Sequence, residues 1–235
     1  MTAHPQHFLS RLIAIAVLAP LLALGLAGCG GLLSDAPSRA LYRVSPQFRF
    51  AAGLPRVGAQ LLVAVPTAPG ALDTARIALS RSPESLNYFA DAEWTDRVPF
   101  LVQASLVEGF EKSAALPAVG PESGGLRADF VLDTAIGNFE AVYDSPNGPP
   151  RILVRLNAKL VRMPDRKIVG QVSVSREANA AANTVPDIVR AFEAALGGAV
   201  EDLVTRTIGN RVLSERRGSV IPWTRFVHTN LSNGL

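Results

Sequence analysis

The sequence predicts an α/β domain, a mixed β-sheet flanked by two main helices in a two- or three-layer sandwich. Three observations carry this. Between Phe130 and Val174 there are three successive runs in which apolar and polar residues alternate, the period of strands with one buried face. Two stretches, Asp96–Leu116 and Thr184–Gly209, repeat apolar residues at helical spacing and carry proline in the first turn. Gln60–Val65 (QLLVAV) is a short continuous apolar run closed by Pro66, as in a strand buried on both faces. Laying helices over a sheet hides all three kinds of apolar surface.

Leu41–Val44 is a short strand candidate, and Gln47–Ala59 reads as a loop. After Gln60–Val65, the segment Pro66–Gly70 has turn chemistry. Arg76–Arg81 and Ser85–Ala90 form a hairpin around Ser82-Pro83-Glu84. Asp96 is the expected N-cap of the first helix, and Phe100, Ala104, Val107 and Phe110 form its apolar face. Pro117 stops it, and a Gly-rich loop follows at Pro121–Gly125. Phe130, Leu132, Thr134 and Ile136 then alternate with their neighbours until the phase slips at Gly137-Asn138. Phe139, Ala141 and Tyr143 resume the alternation, which predicts a β-bulge at the glycine. Ser145–Pro150 is a turn, Ile152 to Leu160 alternate, Met163–Lys167 is a turn, and Ile168 to Val174 complete a meander. The last helix starts at Asn183 or Thr184, with Pro186 in its first turn and Asp187 three residues after Thr184. Its apolar stripe runs from Val185 to Ile208. Gly197-Gly198 in its middle either loosens it or permits close packing.

The chain has 235 residues, 48% hydrophobic and 18% charged, the profile of a folded protein that needs no disulfide or metal to hold it. Its single cysteine, Cys29, excludes an internal disulfide and a thiolate metal cluster. The three histidines are His4, His7 and His228; the first two fall in a segment read below as removed. A zinc site with several histidines is excluded, and a Ser-His-Asp or Cys-His arrangement would have to recruit His228. No G-x-x-x-x-G-K-[ST] motif is present, so this chain is not expected to hydrolyse ATP. The expectation is a protein that is not an enzyme, with no catalytic residues, no metal site and no cofactor.

The first thirty residues set the compartment. Met1–Arg11 has one fixed positive charge and no acid, and Leu12–Leu24 is an apolar run too short to span a bilayer, for which about 20 residues are needed. This reads as a secretory signal. It ends in Leu26-Ala27-Gly28-Cys29, a bacterial lipobox whose thiol accepts diacylglycerol before cleavage at residue 28. Acyl chains on Cys29, palmitate among them, would hold the mature chain at a membrane facing the periplasm. Gly30 rather than Asp at the next position favours the outer membrane by the usual sorting rule. Residues 29–40 then read as a lipidated tether and 41–210 as the folded domain.

The formal net charge is +3, unevenly placed. Arg211, Arg216, Arg217 and Arg225 against Glu215 make residues 211–235 a basic tail, while the body is close to neutral. A near-neutral body argues against a nucleic-acid groove. The tail suits anionic head groups or an acidic partner, or is simply a solvated terminus.

Several blocks together resemble one family. Val65-Pro-Thr-Ala-Pro-Gly-Ala-Leu-Asp-Thr-Ala-Arg-Ile77 is similar to the early signature of the ABC-type transport auxiliary lipoproteins. Leu86-Asn-Tyr-Phe-Ala-Asp-Ala-Glu-Trp-Thr-Asp-Arg-Val-Pro99, Ala128-Asp129-Phe130 with Phe139-Glu140, and Asp187 with Ala191-Phe192 are similar to its later blocks. The resemblance covers residues 41–208 and leaves the basic tail outside. It implies a fold like the amino-terminal domain of TolB and a non-enzymatic lipoprotein accompanying an MCE-domain protein and its ABC permease and ATPase, as in Pqi-type systems. Such systems move phospholipid or sterol-like lipid between the two membranes of Gram-negative bacteria. The rivals are a stand-alone lipid-binding lipoprotein and a structural or assembly lipoprotein of the envelope.

Tyr88, Phe89 and Trp94 cluster just before the first helix and are candidates for a partner- or lipid-facing patch; ordinary packing of the hairpin onto the helix is the other reading. Asp73 and Arg76 flank Thr74 and read either as interface contacts or as turn capping. Asp129, Asp133 and Glu140 read as the solvated face of a sheet.

Overall fold

The structure is a computed structural model in which residues 39–123, 127–146 and 148–209 are described. In chain order the elements are β1 (Ala40–Tyr42), β2 (Gln60–Val63), β3 (Arg76–Ser82), β4 (Ser85–Trp94), α1 (Val98–Lys112), β5 (Ala118–Pro121), β6 (Phe130–Val142), β7 (Arg151–Arg162), β8 (Lys167–Asn179) and α2 (Val185–Ile208). The strands form one mixed sheet of eight.

β6 is its axis. Along one edge it pairs antiparallel with β7 from end to end, and β8 pairs antiparallel with β7 beyond. The other edge is shared. β2 runs parallel beside Phe130–Leu132, a bridge joins Thr67 to Ala135, and β3 runs parallel beside Ala141–Val142. β5 extends the sheet past β2, while β4 and then β1 extend it past β3. The register shift between Ile136 and Asn138 falls at Gly137, where the sequence pattern slips, so one bulge keeps both halves of β6 facing the same core.

α1 packs on β2 and β5, α2 packs on β7 and β8, and the helices also pack on each other. Both therefore lie on one face of the sheet, and the architecture has two layers. They touch closely at Gly109, where a Cβ would sit 2.3 Å from Val200 Cγ1. Only a residue without a side chain lets the backbones come this near.

A strap covers the groove between the helices. Residues 43–57 have no regular secondary structure, yet Tyr42, Val44, Pro46, Phe48 and Phe50 alternate toward the interior with exposed residues between them. The Ser45 N–H donates to Glu193 Oε1 at 3.0 Å, and the Arg49 N–H donates to the Glu201 carboxylate. Four extended residues rise about 13 Å and eight helical residues about 12 Å, so strap and helix keep step. Gly197 makes the approach possible, since a Cβ there would stand 3.0 Å from the Gln47 carbonyl oxygen. Of the two readings of Gly197-Gly198, close packing is the observed one.

The second helix begins as its sequence predicts, with Thr184 as N-cap accepting from the Asp187 N–H. The first is shorter than predicted at both ends. Its N-cap is Arg97, without a side-chain cap, because Asp96 Oδ1 accepts from the adjacent Arg97 N–H at 2.7 Å. The Val98 N–H is satisfied instead by the Thr74 carbonyl, 3.1 Å away. At the other end Ser113 Oγ donates to the Phe110 carbonyl and Ala114 takes a left-handed turn, φ 52°, before Pro117 is reached. Beyond it, Ala118–Pro121 form strand β5, which takes in the first residue of the expected Pro121–Gly125 loop.

Candidate functional site

Cys29 and the lipobox residues Leu26, Ala27 and Gly28 lie outside the described residues, as do Arg211, Arg216, Arg217 and Arg225. The aromatic cluster is described in full, and the structure divides it. Trp94 is 1% exposed and belongs to the core. Its ring meets Phe192 edge-on at 5.1 Å and Phe139 at 6.0 Å, and those two rings are 4.9 Å apart, so β4, β6 and α2 are joined by one aromatic contact. Trp94 is therefore a packing residue, not part of a surface patch. Its position just before the helix turns the ring inward, under α2. Tyr88 and Phe89 are half-buried further back along β4. Tyr88 donates its hydroxyl to the Ala71 carbonyl at 3.0 Å, and the Arg76 guanidinium lies 3.6 Å from its ring centroid.

β4 is also the strand whose outer edge is only partly covered. β1 pairs with Ala92–Trp94 alone. Ser85–Asp91 present an outer edge to which no described strand pairs. The opposite edge strand, β8, is longer but guarded: Arg206 Nη1 donates to the Ser173 carbonyl at 3.2 Å, and Arg176 makes a two-pronged pair with Asp202 at 2.7 Å. Charged side chains folded over an edge discourage strand addition.

A second feature was not legible in the sequence. Two segments far apart in the chain, 65–76 and 94–100, close on each other. Asp73 pairs with Arg97, the Val98 N–H donates to Thr74, and the Trp94 N–H donates to the Ala75 carbonyl at 2.7 Å. They enclose a shallow depression of about 330 Å³ lined by Val65, Pro66, Ala68, Pro99 and Phe100, with the Asp73–Arg97 pair at its side. Asp73 Oδ1 is buried there without a partner. Asp73 is thus an ion-pair residue spanning two segments. A larger depression of about 670 Å³ lies by the β3–β4 hairpin and is mixed in character, with Arg81, Glu84 and Arg151 in its walls beside Leu86, Val142 and Leu153. Asp133 is on the exposed sheet face as predicted, and Glu140, almost buried, accepts from Asn138 Nδ2 at 2.6 Å. Asp129 departs from the pattern: its Oδ2 accepts from the Gln60 N–H at 2.9 Å and fixes the start of β2.

Residues 44–204 match the family described as the ABC-type transport auxiliary lipoprotein component. The chain belongs to this family. The match starts within the strap and ends within α2, so it takes in the whole sheet except β1. An uncharacterized protein of Bradyrhizobium diazoefficiens is 29% identical over 152 residues, 65% of this chain; the chain spans 40% of that relative's length. Among solved structures, a Xanthomonas campestris protein of family DUF330 is similar at 26% identity and TM-score 0.70, covering 75% of this chain and 99% of its own. A second crystal structure, of an uncharacterized protein, is similar in fold at 12% identity and TM-score 0.57, covering 72% and 99%.

The family is described by a transport role, not a reaction. Among the described residues no three His, Cys, Asp or Glu are placed to hold a metal ion, and no helix is long and apolar enough to cross a membrane. What the described domain offers is surface: an open strand edge beside two half-buried aromatics, and a small depression of mixed lining where the two family-like blocks meet.

Proposed function

We propose that this auxiliary lipoprotein is lipid-anchored through Cys29, faces the periplasm from the outer membrane, and docks the MCE-domain protein of an ABC lipid transport system there. One juxtaposition carries the reading: the lipobox cysteine stands fifteen residues ahead of the point where the family match begins. In this reading residues 1–28 are removed, 29–40 form the tether, 41–210 the domain and 211–235 a basic tail that meets anionic head groups. Acyl chains in the bilayer hold the protein, at about 0.8 kcal/mol per buried CH₂, so the folded domain is free to serve as a receptor. The docking surface is the open edge of β4 at Ser85–Asp91, where an extended partner segment can add a strand and find Tyr88 and Phe89 beside it.

Crosslinking in cells tests this. A photo-reactive side chain at Asn87 should capture an MCE-domain protein, with its permease and ATPase recovered behind it, and one at Gln171 on β8 should not. Capture of a β-barrel or of no transporter component, in cells that express them, would reject the docking role in favour of envelope assembly or stand-alone lipid binding. Lipid in native mass spectra of the purified protein would then favour the latter.

A further inference from the structure

The large apolar side chains that are exposed among the described residues are Leu41 (66%), Val65 (44%), Phe100 (38%) and Ile168 (55%). Two of them, Val65 and Phe100, line one depression, and Leu41 lies in β1, whose partner strand β4 leads into the segment that carries Phe100. Leu41 lies in β1 opposite Glu93, and the Tyr42 carbonyl next to it accepts from the Thr95 N–H at 2.9 Å. Two residues on, Arg97 lies 5.7 Å from the Phe100 ring, and Phe100 shares its depression with Val65. Ala68 and the buried Pro66 and Pro99 form the apolar wall behind them; Thr67 and the Asp73–Arg97 pair are the polar part of the lining, and that pair is internally neutralised. Arg39 at the same end is likewise matched by Glu93. Arg43 is exposed and makes no ion pair with any described residue. Exposed apolar groups gathered in this way need an occupant.

The chain itself supplies the argument for which one. Nine residues, Gly30–Ser38, separate Cys29 from Arg39. Even fully extended, those ten steps reach at most about 36 Å. If Cys29 is acylated, as proposed above, the end of the domain carrying β1 is kept within that distance of a bilayer at all times. We infer that this end, with Leu41, Val65 and Phe100 inserted among the head groups and Arg43 over their phosphates, rests on the membrane surface. The occupant is lipid, and the contact fixes the domain's orientation. The open edge of β4 is then held beside the membrane rather than swinging at the end of a tether. Apolar groups seated at the interface with a cation at their rim are a common mode of peripheral attachment.

The test uses the mature, acylated protein in vesicles of phosphatidylethanolamine and phosphatidylglycerol. Acylation consumes the Cys29 thiol, so Val65→Cys, Phe100→Cys and Ile168→Cys each carry one reactive site for an environment-sensitive fluorophore. Lipids with a doxyl group near the head should quench the labels at 65 and 100 at least twofold more than the label at 168, which lies on the far edge strand. Arg43→Glu should reduce that quenching in the anionic vesicles. Equal quenching at the three positions in acylated protein overturns the inference and leaves the anchoring reading intact. Shielding of 65 and 100 from aqueous iodide only when an MCE-domain protein is added, without doxyl quenching, also overturns it, in favour of a protein occupant. Mass spectrometry of the same sample separates the two claims: a chain without acyl mass overturns the anchoring reading itself, and this inference with it.

Discussion

Along β6, β7 and β8 successive side chains go to opposite faces, and the two faces ask different things of a residue. Beneath the helices, Leu132, Ile136, Phe139, Ile152, Val154, Leu156 and Leu160 are at most 3% exposed. On the other face Asp133 stands opposite Lys159, Asn138 opposite Arg155, and Ala135 opposite Asn157. Ser173, Ser175 and Glu177 continue that polar face across β8. The same backbone serves both, so the difference is made by what covers it. The covered face is fixed in detail by shape, while the open face is fixed only in character: polar, with opposite charges set side by side.

The most direct way to break this contrast is at the aromatic contact under α2. Trp94→Ala removes the ring that packs on both Phe139 and Phe192 and should lower unfolding free energy in urea by about 3–5 kcal/mol. A loss below about 1 kcal/mol would mean the covered face is no more demanding than the open one. Because Trp94 is core, this variant also separates stability from docking: where it still folds, capture at the β4 edge should persist.

Gly109 sharpens the contrast from the opposite direction, by adding rather than removing. Gly109→Ala puts a methyl group 2.3 Å from Val200 Cγ1, and the overpacking should cost about 1–3 kcal/mol. Val200→Ala in the same chain should recover part of that loss, since the clash is with one methyl of one side chain. Strict additivity of the two changes would show that the helices have simply moved apart. On the open face the corresponding change is small. Lys159→Glu sets two carboxylates directly opposite at Asp133 and should cost about 0.2–1 kcal/mol, weaker again at high salt.

The contrast also explains what could be read from the sequence. One-sided strands advertise themselves: alternation, the Gly137 bulge, the meander and the Thr184 cap were all legible because each is a local pattern. The two helices were legible as helices, but the end of α1 was not, because its first N–H is satisfied by Thr74, more than twenty residues away. The strap was missed although Tyr42, Val44, Pro46, Phe48 and Phe50 alternate plainly, because that period was expected only of strands. β5 gave no signal in Ala-Val-Gly-Pro; its parallel place beside β2 is set by the sheet. Trp94 could not be assigned from its neighbours, since burial depends on Phe139 and Phe192. The Val65–Phe100 depression is likewise a product of two segments meeting. The proposal for Cys29 lies at the other extreme, since it rests on the sequence alone.

The smallest expected effect lies where the covering layer begins. At the start of α2 the Thr184 hydroxyl bonds the Asp187 carboxylate and Arg190 pairs with it, and together they hold its pKa below the usual carboxylate value. In the unfolded chain that carboxyl returns to about 3.9. Above that value both states are ionised and the contribution to stability is complete. As pH falls from about 5, the unfolded chain takes up the proton first, and the contribution drains away until the folded carboxyl titrates too. Asp187→Asn should therefore flatten the decline of stability between about pH 5 and pH 3 while leaving the meander's own pH response unchanged. Asp165→Asn is the comparison on the exposed β7–β8 turn, where the hydrogen bond from Arg162 likewise holds the carboxyl low. The Asp187 side chain is 17% exposed and that of Asp165 47%, yet each is held low mainly by one side-chain hydrogen bond, so each variant should flatten the curve by a similar, small amount. A much larger effect at Asp187 would show that the cap transmits into the helix packing, and that the covered face starts at Thr184 rather than at the first buried turn.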